Sequence, residues 1–229
     1  MALYAISDLH LAFNADKPMD IFGQHWLKHD EKIKDNWLNN IKEEDTVLIA
    51  GDISWSMKAD ESKQDLDWIA SLPGKKYIIK GNHDYWWSSI TKLNKMYDNI
   101  KFIQNNFFVY KDYAICGSRG WICPGSDKFS TKDDKIYKRE LIRLRLSLDA
   151  AKKAGYEKII CMIHYPPTNE KFEGSDITKI FEEYNVEKVV YGHLHGNALG
   201  RVLNGKFNEV NYIMTSCDYI DFNPIKISD

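Results

Sequence analysis

Short runs of apolar residues alternate along this chain with longer stretches in which apolar residues recur every three or four positions. The short runs are rich in β-branched and aromatic residues, and they predict strands at 3–7, 46–50, 76–80, 107–117, 158–163, 187–191 and 210–216. The longer stretches predict helices at about 24–42, 60–71, 88–97, 134–154 and 175–184. The helix at 134–154 has the clearest apolar stripe, which we interpret as core packing, and Gly155 provides its stop.

Strands that alternate with helices predict an α/β fold whose sheet is largely parallel and is covered on both faces. The two runs within 107–117 and those near the C-terminus favour antiparallel pairing instead. A layered α/β sandwich with mixed sheets fits this pattern best. We find no internal repeat, low-complexity tract or linker, and therefore expect residues 1–229 to form a single domain.

Composition excludes several classes of protein. Hydrophobic residues make up 44% of the 229 residues, which is too much apolar content for a disordered chain. The formal net charge of -2 predicts no general attraction to nucleic acid or to anionic lipid. The start of the chain, MALYAISDLH, lacks the features of a signal peptide, and no run approaches the length of a membrane-spanning helix. We therefore expect a cytoplasmic protein without a membrane partner.

The four cysteines show no metal-binding or redox spacing. Cys116, Cys123, Cys161 and Cys217 contain no CxxC pair, and Cys161 lies inside an apolar run. All four are predicted to be reduced and structural.

Polar residues that can bind a metal follow five of the predicted strands. In an open α/β sheet the ligand crevice lies beyond the carboxyl ends of the strands, so one fold could bring all five segments together. Residues at i and i+2 of an extended chain also point to the same side. The candidate ligands are Asp8, His10, Asp52, Asn82, His164, His193 and His195.

The number and type of these ligands predict two metal ions. A catalytic ion usually has three protein ligands and an open position, and seven donors exceed that number. Nitrogen and oxygen donors suit Mn, Fe, Zn, Co or Ni, as divalent or trivalent ions. Asp52 is the expected bridge between the ions. Asp8, His10 and His195 would complete one site, and Asn82, His164 and His193 the other.

The charge of the predicted metal site indicates the class of substrate. Two divalent ions with only two carboxylates keep an excess of positive charge, which favours an anion such as a phosphate ester. Metal-activated water could then attack phosphorus. His83 is adjacent to a ligand without being needed as one, so it is the candidate acid for the leaving group, and Asp84 would orient or charge its imidazole.

Other residues have weaker signals. In the sequence YWW after Asp84, the aromatic residues are interpreted as core, with a wall of the site as the alternative. His25 and His29 are expected on a solvated helix face. The loop 117–131 contains Arg119, Trp121 and Lys128, which either bind the non-reacting part of the substrate or are solvated loop residues. Arg119 is the candidate substrate-binding residue.

The order of the motifs DLH, GD, GNHD, an isolated His164 and GHLH resembles that of the calcineurin-like metallophosphoesterases. The motifs span residues 8 to 195. The resemblance implies a four-layer αββα sandwich with two mixed β-sheets and a dinuclear metal centre at the sheet ends. Of the metals that suit the donors, we expect Mn, Fe or Zn. The resemblance also implies hydrolysis of phosphomonoesters or phosphodiesters, and it assigns the metal and acid roles to the same residues as above.

The resemblance does not extend to every branch of that family. After GD this chain reads ISWSMKADES, where the Ser/Thr protein phosphatases continue with a DRG-type segment, so protein dephosphorylation is not expected. The chain looks most like the compact bacterial phosphohydrolases of the family, whose substrates the motifs do not reveal. The expected partner is a small phosphorylated substrate.

Two other classes of function stay open. A non-catalytic scaffold could retain the fold and a vestigial metal site, although it would not need His83. A nuclease should have a basic groove with aromatic stacking residues, and the charge balance does not support a long one.

Overall fold

The computed structural model describes residues 1–229 and contains two β-sheets. The first sheet has five strands, namely β1 (Leu3–Ile6), β2 (Thr46–Ile49), β3 (Lys75–Ile79), β4 (Ile100–Ile103) and β11 (Ile225–Ser228). Their spatial order is β11-β1-β2-β3-β4. The first four strands are parallel and β11 pairs antiparallel with β1, so the sheet is mixed.

The second sheet has six strands. They are β5 (Phe108–Tyr110), β6 (Tyr113–Ser118), β7 (Lys158–Ile163), β8 (Val186–Tyr191), β9 (Gly205–Phe207) and β10 (Val210–Met214), in the order β5-β6-β7-β8-β10-β9. The four central strands are parallel, and the two edge strands are antiparallel to their neighbours.

Helices cover the outer face of each sheet. The helices are α1 (His29–Asn40), α2 (Lys63–Ser71), α3 (Ile90–Leu93), α4 (Thr131–Lys153) and α5 (Asp176–Glu183). The first three share a buried apolar cluster with the first sheet, whereas α4 and α5 share one with the second. Short 3-10 helices lie at Met19–Phe22, Gln24–Trp26 and Gly196–Arg201.

A third apolar cluster fills the space between the two sheets. It is built from residues such as Leu48 and Ile79 of the first sheet and Ile160, Met162 and Val190 of the second, nearly all of them with no exposed surface. Helices, sheet, sheet and helices therefore form four layers. The αββα sandwich with two mixed sheets is confirmed.

The boundaries differ from the sequence predictions in places where the pattern is short or interrupted. The sequence does not predict the strands β4, β9 and β11, because each has only three or four residues and lies at a sheet edge. The predicted helix at 24–42 is interrupted before α1, since Lys28 has a left-handed backbone with φ of 54°. Helix α4 begins earlier than expected because Ser130 and Asp133 form a capping box.

None of the helices has both the length and the apolar character needed to cross a membrane. All four cysteines are buried and none forms a disulfide, as the sequence predicted.

Candidate metal centre

All seven predicted ligands follow strands and meet at one edge of the sandwich. Asp8 and His10 follow β1, Asp52 follows β2 and Asn82 follows β3, while the remaining three histidines follow β7 and β8 of the other sheet. The two sheets touch at this edge, where an isolated bridge joins Ser7 to Ser216. Each sheet therefore contributes ligands to the same place, as the strand-end rule predicts.

The first cluster contains Asp8, His10 and His195, whose ligand atoms all lie within 4.8 Å of one another. The Nε2 atom of His195 is 3.3 Å from Oδ1 of Asp8. Asp8 and His10 are buried and His195 is partly exposed, so the cluster is open on one side.

The second cluster contains Asp52, His164 and His193, also within 4.8 Å. The Nε2 atom of His164 is 3.3 Å from Oδ2 of Asp52 and 3.2 Å from Nδ1 of His193. The side-chain oxygen of Asn82 lies 2.8 Å from the same Nε2 atom. Asn82 therefore lies beside this cluster.

Asp52 lies between the two clusters. Its Oδ2 atom is within 3.9 Å of Nε2 of His10 on one side and within 3.3 Å of Nε2 of His164 on the other. Its other oxygen, Oδ1, accepts a hydrogen bond from the backbone N–H of His83 at 2.8 Å. This bond directs Oδ2 toward the histidines, which is the position that a shared ligand requires.

Buried hydroxyl groups orient the Asp8 carboxylate. Ser7 and Ser216 donate to its Oδ2 atom at 2.6 and 2.8 Å, and the backbone N–H of His193 also reaches it. Oδ1 is left to face His195.

Two histidines have one nitrogen fixed by a partner outside the clusters. Nδ1 of His164 is 3.0 Å from the carbonyl oxygen of Ala50, and Nδ1 of His195 is 2.8 Å from Oδ1 of Asp218. In each ring this leaves Nε2 toward the clusters. Asp218 was missed in the sequence, yet it too lies just beyond a strand, β10, where the same rule would have found it.

Four of the ligand residues have a backbone conformation that is uncommon outside glycine. The φ angles are 59° at Asp8, 45° at His10, 53° at Asp52 and 74° at His193. Asp8 and His10 do lie in one cluster, as expected, but the reason given for it, an extended chain that points residues i and i+2 to the same side, is wrong. The chain instead turns sharply at each strand end, and such backbone outliers tend to cluster at functional sites.

Two glycines allow the carboxylates to approach the neighbouring backbone. A Cβ atom at Gly81 would overlap Asp52, and a Cβ atom at Gly192 would overlap Asp8. Both positions therefore require the absence of a side chain.

Burial and charge strongly perturb the ionisation of the clusters. Burial alone would disfavour the imidazolium form of His164 and His195, but the nearby carboxylates outweigh it and raise their pKa values to about 9 and about 10. Burial lowers the pKa of His10 to about 4, and burial with the His164 charge lowers that of His193 to about 3.

The pKa values of the two carboxylates shift downward. Burial raises the pKa of Asp8, yet the charges of His195 and His164 hold it well below the usual range. Asp52 behaves in the same way, since the His164 charge overcomes burial and lowers its pKa. Without metal, the site is therefore held together by ion pairs between carboxylates and imidazolium rings.

The donor set fits a pair of metal ions. Each cluster offers only nitrogen and oxygen atoms, and the deeply buried atoms Nδ1 of His10 and Nε2 of His195 have no hydrogen-bond partner. Imidazole nitrogens and carboxylate oxygens this close together suit first-row metals.

His83 is next to the clusters but belongs to neither. Its half-buried ring lies 4.3 Å from the ring of Trp55 and 5.7 Å from that of His10, measured between centroids. Burial, the largest influence, lowers its pKa. Trp55 also stacks on His10 at 4.9 Å and so forms one wall of the site.

Asp84 does not have the position that the sequence suggested. It is fully buried and accepts hydrogen bonds from the indole of Trp86 and from backbone N–H groups, which belong to Gly81, Asp52, Ile53 and Ser54. The expectation that Asp84 orients the His83 imidazole is therefore corrected. Asp84 ties the loop after β2 to the loop after β3 and so positions the residues that carry the ligands.

Burial and the Asp52 charge raise the pKa of Asp84 to about 6, although the backbone N–H donors oppose this shift.

Arg119 also differs from its expected role. Its guanidinium lies 3.3 Å from the buried carboxylate of Glu140 and packs over the ring of Trp121 at 4.4 Å. Its carbonyl oxygen accepts hydrogen bonds from the backbone of His164 and Tyr165. Glu140 also pairs with Arg143 at 2.8 Å, so these three side chains together keep a net positive charge. The Arg119 side chain is only 15% exposed, however, and the contacts it makes are structural.

The aromatic residues after Asp84 divide between core and surface. Trp86 is buried in the core of the first sheet and Trp87 packs beside it, whereas Tyr85 is 57% exposed with its ring edge toward His83. His25 is exposed, as expected. His29 is not on a solvated face, because its Nε2 atom lies 3.0 Å from the carbonyl oxygen of Leu9.

Comparisons with known proteins agree with the family that the motifs indicate. The sequence profile of the family described as Calcineurin-like phosphoesterase matches residues 1–197. Among curated proteins, the Gene 66 protein of Mycobacterium phage L5 is 35% identical over 78 residues, which is 34% of this chain and 37% of that protein. The Gene 66 protein of Mycobacterium phage D29 is 33% identical over 75 residues, 31% of this chain and 37% of that protein. The match thus spans little more than a third of the length of these relatives.

Solved structures resemble the chain over nearly all of its length. Phosphopantetheinyl hydrolase from Mycobacterium tuberculosis has a TM-score of 0.61 at 16% identity, covering 94% of this chain and 89% of that chain. A protein of unknown function from Aquifex aeolicus has a TM-score of 0.54 at 19% identity, covering 98% and 95%. At these identities the likeness establishes the fold alone.

Proposed function

The chain belongs to the calcineurin-like phosphoesterase family of metal-dependent hydrolases, and we propose that it hydrolyses small phosphate esters with two metal ions and a histidine acid. The observation that carries this proposal is the pair of adjoining nitrogen and oxygen clusters with Asp52 between them. Mn, Fe or Zn suits such a donor set.

In the proposed arrangement, Asp8, His10 and His195 would hold one ion, Asn82, His164 and His193 would hold the other, and Asp52 would serve both. When bound, the ions supply an activated water as nucleophile and positive charge for the phosphate oxygens. The two carboxylates neutralise only part of that charge, which favours an anionic substrate. Phosphomonoesters and phosphodiesters both satisfy this requirement.

His83 is the proposed general acid. Its backbone is fixed by the hydrogen bond to Asp52, and its ring is packed against Trp55, so the imidazole is held beside the clusters. From there it would donate a proton to the oxygen that leaves phosphorus, which stabilises the developing alkoxide. Tyr85 and Trp55 flank the ring and would limit the access of water to that proton transfer.

The test is metal-dependent hydrolysis by the purified chain. Protein stripped with a chelator and reloaded with Mn is assayed with 4-nitrophenyl phosphate, a monoester, and bis(4-nitrophenyl) phosphate, a diester. We expect activity to rise with Mn and to saturate near two ions per chain, as measured by elemental analysis. Asp52→Asn should lose metal and activity together, whereas Asp60→Asn, at an exposed position outside the site, should keep both.

A folded chain that binds two ions and hydrolyses neither ester would contradict the proposal. That result would favour the non-catalytic scaffold.

A further inference from the structure

A cavity of about 410 Å³ adjoins the metal centre. Its wall includes His193, one of the candidate ligands, and Tyr165, whose ring lies 4.1 Å from that of His193 between centroids. A molecule in this cavity would therefore contact the same histidine that faces the second cluster. Its volume is within the range of pockets that bind small molecules.

Fewer than half of the residues that line this cavity are hydrophobic, yet apolar atoms supply most of its lining surface. The apolar side chains of the lining come from the loop after β6, from the end of β8 and from the segment after β8. They include Ile122, Cys123, Tyr191, Leu194, Ala198 and Leu203. Cys123 and Tyr191 are buried, while most of the others are partly exposed. An apolar group that fills this space would be stabilised by its removal from water.

Two cations lie at the rim of the cavity. Lys128 and Arg201 are exposed and line it, and neither forms a salt bridge. The nearby carboxylate of Glu170 already accepts a hydrogen bond from Ser126 at 2.6 Å, and this bond, with a smaller effect of the Arg201 charge, lowers its pKa. The rim therefore has an excess of one positive charge and is suited to an anion.

We propose that this cavity binds the non-reacting part of the substrate, an apolar organic group that carries a second anionic group at its far end. The inference rests on the proposed function, because the phosphate is taken to occupy the metal centre while the organic group extends past His193. The cavity would then select amphipathic phosphate esters over short or uncharged ones.

Binding of phosphonates tests this proposal without requiring hydrolysis. Ethylphosphonate, hexylphosphonate and 6-carboxyhexylphosphonate are titrated into the Mn-loaded chain by calorimetry. The four additional methylene groups of the hexyl compound should tighten binding by at least about tenfold. The terminal carboxylate should tighten it further, by up to about fivefold, as for an exposed ion pair.

Substitutions of lining residues test whether the gain in phosphonate affinity arises in this cavity. Ala198→Trp and, separately, Ile122→Trp place a large side chain in the cavity, so the hexyl and ethyl compounds should then bind with about equal affinity. Arg201→Gln should remove the gain from the terminal carboxylate. Arg145→Gln is the matched control, since this exposed arginine pairs with Glu183 and does not line the cavity, and it should retain that gain.

Equal binding of the three phosphonates, or no binding of any, would overturn the inference. So would a preference that both tryptophan variants leave unchanged. Hydrolysis of the 4-nitrophenyl esters tests the proposed function separately: hydrolysis with equal phosphonate affinities refutes only the cavity, and the expected affinities without hydrolysis refute only the catalysis.

Discussion

Metal binding is expected to displace protons from the site. Without metal, His164 and His195 are imidazolium rings paired with Asp52 and Asp8, because the carboxylates raise the pKa values of these rings. An imidazolium ring cannot coordinate a metal, so each must lose its proton when an ion binds. Addition of metal to the stripped protein is therefore the perturbation.

The number of protons can be worked out from the pKa values. At pH 7, a ring with a pKa of about 9 is about 99% protonated, and one with a pKa of about 10 is protonated still more completely. His10 and His193, with pKa values of about 4 and about 3, are already neutral and release none. Two bound ions should therefore release about two protons per chain, and up to about three if a water bound with them also ionises.

The assay is calorimetric titration of the stripped protein with Mn at pH 7 in buffers that differ in ionisation enthalpy. The slope of observed heat against ionisation enthalpy gives the number of protons released. A value below about one, with two ions bound, would refute the assignment of His164 and His195 as protonated ligands.

The same ion pairs give the metal-free protein a defined dependence of stability on pH. The pKa values of His164 and His195 are above the model-peptide value of 6.5, so their contribution is complete below about pH 6.5 and is lost as pH rises through about 9 and about 10. The lowered pKa values of Asp8 and Asp52 add stability above about pH 4 that is lost in acid. Urea denaturation of stripped protein should show stability falling from pH 7 to 10, and a constant midpoint would contradict this.

Three substitutions test the other assigned roles. His83→Ala should keep both ions yet lower kcat by about 10² to 10⁴ for an alkyl ester, and less for a 4-nitrophenyl ester, whose leaving group needs no acid; metal loss by elemental analysis would instead make His83 a ligand. Asp84→Ala should lower the free energy of unfolding in urea by about 2–5 kcal/mol, since several buried N–H groups lose their acceptor, and an unchanged midpoint would contradict that. Gly192→Ala should reduce bound metal by displacing Asp8, whereas Gly200→Ala, which has open space around it, should not.

Much of the fold and the ligand set could be predicted because both follow from local rules. Alternation of apolar runs with amphipathic stretches predicts the central parallel strands, and the polar residues after them predict which side chains meet at the candidate metal centre. The edge strands β9 and β11 were missed because three or four residues with mixed burial carry little periodicity.

The errors concern residues whose partners lie far away in the sequence. Asp84 was assigned to its neighbour His83, but its hydrogen bonds reach Ile53 and Ser54 on another loop. Arg119 was assigned to a substrate, but its partner Glu140 lies on α4. Side-chain types and spacing indicate which groups can react, whereas the direction in which each side chain points depends on tertiary packing.

The apolar layer between the sheets has a consequence for the tuning of this centre. Each cluster draws residues from both sheets, which meet at the Ser7–Ser216 bridge, and the apolar layer lies directly behind this edge. A methylene group gained or lost at Leu48 or Met162 would change how closely the two sheets pack. The distances between ligand atoms from opposite sheets would change with it. Substitutions in this apolar layer, at residues that bind no metal themselves, are therefore expected to alter the metal preference of the site.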